Sequence, residues 1–109
     1  TGDAIRLRVL EPNGHGRNHT FALHGHVWQR NPYTSSCTST PCIGSTSIGN
    51  NLLSEWRGAQ EGHGPTDHWD IVPAHGAGGA YAISGDYLMR DMTPMSFYNG
   101  IWGLLRVLL

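Results

Sequence analysis

Lysine is absent from the 109 residues, and charged side chains of any kind make up only 14% of them. A lysine Schiff base is thereby excluded. The lack of lysine also argues against the clustered Lys and Arg surface that nucleic acid normally requires, and no nucleic-acid partner is expected. A formal net charge of -1 at pH 7 gives no pull towards a polyanion or an anionic lipid surface. No apolar run approaches the roughly 20 residues of a membrane-spanning helix, so no membrane segment is expected. Hydrolase signals are missing as well. There is no Gly-x-Ser-x-Gly elbow, no carboxylate pair that reads as a glycosidase dyad, and no glycine-rich phosphate loop ending in lysine.

Cysteine is scarce. Cys37 and Cys42 lie close together in a Ser/Thr-rich stretch, which reads as a disulfide pinning a long loop. That implies an oxidising, extracytoplasmic location, periplasmic or secreted. The other reading, two thiolates of a metal site, leaves a structural zinc site incomplete. Asn18-His19-Thr20 matches a glycosylation sequon but falls in an expected strand, where it would be poorly reachable.

The length suits one domain, residues 1–109. The chain opens at Thr1-Gly2-Asp3 and closes on Val107-Leu108-Leu109; such blunt, apolar ends read as a fragment of a longer multidomain protein. Ile5, Leu7 and Val9 alternate with Arg6 and Arg8, the period of a half-buried strand. Glu11-Pro12-Asn13-Gly14 turns the chain. Further strands are expected over 19–30, 68–72, 80–90 and 101–108. One short helix is expected where Ile48, Leu52, Leu53 and Trp56 have helical spacing. About five strands in all give an all-β sandwich or barrel that falls short of the roughly seven strands of a Greek-key sandwich. A strand upstream of Thr1 would complete it.

Seven histidines turn attention to metals. On a regular strand His24 and His26 leave the same face and could grip one ion, whereas His19 points the other way. His63 and His68 could close around the same region. Most imidazoles instead satisfy backbone groups, and His15 and His75, in glycine-rich turns, take no role. Met89, Met92 and Met95 form a small thioether patch; it reads as core filling before Cu(I) binding.

The segment from His19 to Trp28, His-Thr-Phe-Ala-Leu-His-Gly-His-Val-Trp, resembles the His-Pro-Phe-His-Leu-His-Gly-His motif of the last domain of multicopper oxidases. Gly85-Asp86-Tyr87-Leu88-Met89 and the run from Gly100 to Val107 resemble that family's Gly-x-Tyr-Leu-x-His-Cys-His and Gly-Met-Trp-Gly-x-x-x-Val segments. The resemblance covers most of the chain except 31–56. It implies a cupredoxin-like Greek-key β-sandwich that lacks its first strand, with copper in the parent protein. It places the blue-copper ligands on His19, Asp91 for cysteine, Ser96 for histidine and Ile101 for methionine. It places trinuclear-cluster ligands on Ala22, His24, Arg90 and Met92, while His26 matches a motif position that is not a copper ligand.

These departures govern the chemistry that is expected. A blue-copper centre needs a thiolate beside two imidazoles, and only His19 of its four positions is kept. The chain therefore resembles the non-copper cupredoxin domains of large bacterial, manganese-oxidase-like members of the family. It is expected to be a structural domain, not itself catalytic, that packs on sister cupredoxin domains or an oligomer partner. The alternative is an independent copper module in which His24 and His26, with His63 or His68, hold the ion. A cupin is the third reading, but Val27-Trp28-Gln29-Arg30 lacks the Glu that a cupin places after His-x-His.

Overall fold

A computed structural model of the chain describes residues 1–11, 18–33, 48, 51–60 and 62–109. Cys37, Cys42 and His15 lie outside the described residues, and so does the expected disulfide. The architecture is all-β, with strands in antiparallel sheets and, among the described residues, one short α-helix, consistent with a sandwich.

The alternation at the N-terminus becomes β1, Leu7–Leu10, whose inward Leu7 and Val9 are half buried while Arg8 and Leu10 are exposed. β1 pairs with β5, His68–Ile71, in a two-stranded sheet with Leu7 opposite Ile71. The second sheet orders β2, Phe21–Leu23, beside β6, Gly85–Asp91, and then β7, Trp102–Val107. Its register sets Phe21 opposite Asp91 and Arg90 opposite Trp102. A third pair joins β3, Trp28–Gln29, to β4, Trp56–Arg57. Leu23, Trp28 and Ile71 form the fully buried centre, packed round by Leu7, Val9, Phe21, Trp69, Tyr87, Met89 and Leu105. Full burial of Leu23 and Ile71 contributes about 1.5–3 kcal/mol each. The Trp28 indole N–H keeps a partner in Gln60 Oε1 at 3.3 Å.

Three expectations are corrected. The strand over 19–30 breaks after Leu23, because Gly25 takes φ +75 and lies against the Tyr87 ring, 2.8 Å from where a Cβ would stand. The stretch from Ala80 is not strand: Gly79–Tyr81 is a 3-10 turn between left-handed Gly78 and Ala82, and β6 begins only at Gly85.

The α-helix, α1, is Pro94–Tyr98 and not the segment around Leu52. Leu52 and Leu53 are exposed, so their apolar spacing has no surface to bury against. Asn51 Oδ1 accepts the Leu53 N–H at 3.1 Å, a local turn that competes with helix. Pro94 sits in the first turn of α1, where its missing N–H costs nothing.

Candidate functional site

A cleft of about 1130 Å³ opens between the end of β1, the start of β2, the end of β6, α1 and the start of β7. Its walls are largely apolar, including Phe21, Met89, Met95 and Trp102, and its polar end is built from Glu11, His19, His63 and Asp91.

Asp91 ends β6 and is buried. Its Oδ2 lies 2.5 Å from His19 Nδ1, while Oδ1 accepts the backbone N–H groups of Thr20 and Thr93, each at 3.0 Å. The Ser96 side chain adds a further hydrogen bond. Burial pushes the Asp91 carboxyl upward, but hydrogen bonds from Thr20, His19, Thr93 and Ser96 outweigh it and hold the group well below the usual carboxylate range. Asp91 lifts the His19 imidazole above its ordinary value through that hydrogen bond; burial opposes the lift, and the charges of Asp91 and Glu11 assist it.

Beyond His19 the cluster continues. His19 Nε2 stands 3.5 Å from Glu11 Oε1, and His63 Nε2 stands 3.5 Å from Glu11 Oε2. His19 and His63 exchange both backbone hydrogen bonds, at 2.8 and 2.9 Å, so their rings leave neighbouring strands side by side with centroids 5.9 Å apart. The His63 ring packs edge-on against Trp69 at 4.5 Å. Glu11 is held by its backbone, which donates to Asp67 O and accepts from Thr66 N–H.

The other histidines go elsewhere. His24 is exposed, and its Nε2 accepts from Arg90 Nε at 3.3 Å. His26 is buried, its Nδ1 bonded to His24 O and its Nε2 accepting the Gly78 N–H, so both ring nitrogens are engaged. With the strand broken at Gly25, His24 turns outward and His26 inward. His68 is exposed, with Nδ1 3.3 Å from Thr66 O. Of the five sequence candidates, the fold brings together His19 and His63 alone.

Sequence reasoning missed Glu11 as a member of the site. The signal available was its position before Pro12, which favours extended backbone and so carries the line of β1 into the cleft. His19, Asp91, Ser96 and Ile101 all line the cleft, and Ile101 N–H donates to Ser96 O at 2.9 Å. A blue-copper ion does not fit them: Asp91 carries no sulfur, Ile101 no thioether and Ser96 no imidazole, and His19 Nδ1 is taken by Asp91. No protein-family model matches the chain, and no curated protein matches it either.

Proposed function

We propose that this chain is a structural, non-blue-copper cupredoxin domain of a multicopper-oxidase-like protein, located outside the cytoplasm. In the parent, copper-dependent oxidation of a metal ion or small molecule would take place on other domains. The observation that carries this reading is the filling of the Asp91 position. The four positions that the resemblance assigns to a blue-copper centre line one cleft. There a carboxylate bonded to His19, Thr20, Thr93 and Ser96 stands in place of a thiolate. Hydrogen bonds hold together what copper would otherwise cross-link.

The cluster-facing positions support the same reading. Ala22 and Met92 offer no nitrogen, and Arg90 donates to the one histidine kept there, His24. Ile101, Trp102, Leu104 and Leu108 are half or more exposed, an apolar stretch of the kind that a sister domain or oligomer partner covers.

The test is to soak the chain in Cu(II), desalt it, and record visible and paramagnetic-resonance spectra with oxidase turnover on a phenol. The expected result is no intense blue band and no turnover. An intense copper–sulfur band would overturn the reading and point to Cys37 or Cys42 as a ligand.

A further inference from the structure

We infer that Glu11, His19 and His63 form a seat for one divalent transition-metal ion, on the opposite nitrogen of His19 from the lost blue-copper position. The inference stands independently of the proposed function. The two imidazole Nε2 atoms each lie 3.5 Å from a Glu11 carboxylate oxygen. An ion bound tetrahedrally at about 2.1 Å from each ligand sets neighbouring donors roughly 3.4 Å apart. Two imidazoles and one carboxylate form a donor set for first-row divalent ions that leaves open positions, and here those positions face the cleft.

The surroundings suit such a seat. A histidine that binds metal through one nitrogen usually donates the other N–H to a carboxylate. His19 does so through Nδ1 to Asp91, which leaves Nε2, 3.5 Å from Glu11 Oε1, as the nitrogen for the ion. Asp91 is itself fixed by two backbone N–H groups and so holds the His19 ring in place. The His63 side chain is 9% exposed, and among the described residues neither its Nδ1 nor Glu11 Oε2 has a hydrogen-bond partner. A buried carboxylate oxygen without a donor is costly, and a cation satisfies it. Two carboxylates, Glu11 and Asp91, are balanced in full by one dication.

Among the described residues no three such side chains already converge on one point, because the two imidazoles address different oxygens of Glu11. The terminal torsion of a glutamate is broad, so the carboxylate oxygens can be redirected when an ion binds. The backbones need not move, since the His19–His63 bridge and the Glu11 backbone bonds fix all three.

The chain, stripped with chelator and dialysed, is titrated with Zn(II) by calorimetry and with Co(II) by visible absorption. One ion per chain is expected, with Kd on the order of micromolar or tighter. Glu11→Gln and His63→Gln should each weaken it by at least about tenfold, and Asp91→Asn by about 10- to 100-fold. His24→Gln and His68→Gln should leave it unchanged. Long-range nitrogen spectra of the unsubstituted chain provide a measurement that no folding defect can confuse: Zn(II) should move Nε2 of His19 and His63 and leave His24 and His68 in place. Absence of saturable binding below about a millimolar, shifts confined to the other histidines, or a thiolate-to-Co(II) band would each overturn the seat. A blue copper band overturns the proposed function alone.

Discussion

His19 and Asp91, 72 positions apart in sequence, meet through a 2.5 Å contact between Nδ1 and Oδ2. Because Asp91 also receives the Thr20 and Thr93 N–H groups, one carboxylate ties the entry of β2 to the exit of β6. An amide at position 91 has one acceptor oxygen and turns N–H bonds towards donors. Asp91→Asn should therefore destabilise the fold by about 2 kcal/mol, within the usual 1–3 kcal/mol for stranding buried donors. Urea unfolding would read this as a lower midpoint at unchanged slope. An unchanged midpoint would mean that the carboxylate holds nothing.

Acid sensitivity should come from Asp91 and from a second buried carboxylate that is held below its usual range. Asp70 is buried under Arg6 at 2.5 Å, Tyr33 Oη at 2.6 Å and Arg8 at 3.2 Å. The hydrogen bonds from Arg6 and Tyr33 outweigh burial, and with the arginine charges they bring its pKa down from 3.8 to about 2. A carboxyl depressed in the folded state contributes stability that is fully present above its unfolded value and is lost as pH falls through the folded one. Melting temperature should thus drop between about pH 4 and pH 2, and Asp70→Asn should make that limb shallower, with Asp91 supplying the remainder, while lowering the plateau above it. A limb of equal steepness in the variant would assign it to other groups.

Where sequence and structure agree, the deciding physics is local. The Leu7–Val9 alternation needs no distant partner to be recognised, and β1 forms there. The helix at Pro94–Tyr98 had a local signal too, Thr-Pro at its start and Asn99-Gly100 after it, which the apolar spacing around Leu52 outweighed. Where the strand over 19–30 fails, the cause lies in contacts between distant segments. Gly25 breaks its strand because the Tyr87 ring and the Gly79 loop press against it, and nothing within 19–30 announces that. Asp91 pairs with His19 across 72 positions and not with Arg106, which is taken by Asp86 at 2.7 and 2.8 Å. Glu11 and His63 join the site only because β1 and the His19–His63 bridge converge, a consequence of topology.

The loop that holds His26 gives a sharp backbone test. Gly79 has φ +65, and a Cβ there would stand 2.7 Å from Gly25 O. That contact is with backbone, which cannot swing aside. Gly79→Ala combines a left-handed conformation with a clash, and should destabilise by more than the roughly 1 kcal/mol that strain at such a residue costs. Loss of the Gly78 N–H bond to His26 should accompany it, seen as faster amide exchange at Gly78. A neutral effect on both would show that the loop relaxes freely.

The proposal that Asp91 stands where multicopper oxidases carry their copper-binding cysteine can be tested by reversal. A blue-copper centre requires a thiolate and two imidazoles round one ion. His19 is in place and bonded to Asp91 at the end of β6, and Ser96 on α1 is bonded to Asp91 in turn; both are buried. The double variant Asp91→Cys with Ser96→His should therefore bind one copper and show an intense blue band. Either substitution alone should not, since one lacks the second imidazole and the other the sulfur. The starting chain carries Cys37 and Cys42, so the same pair of substitutions belongs in a Cys37→Ser, Cys42→Ser background as well. A blue band in that background requires the new thiolate, and hence places position 91 where the family holds its copper. A folded double variant that binds copper without colour would mean that the two side chains do not reach one ion with His19, and the cupredoxin register would fall with it.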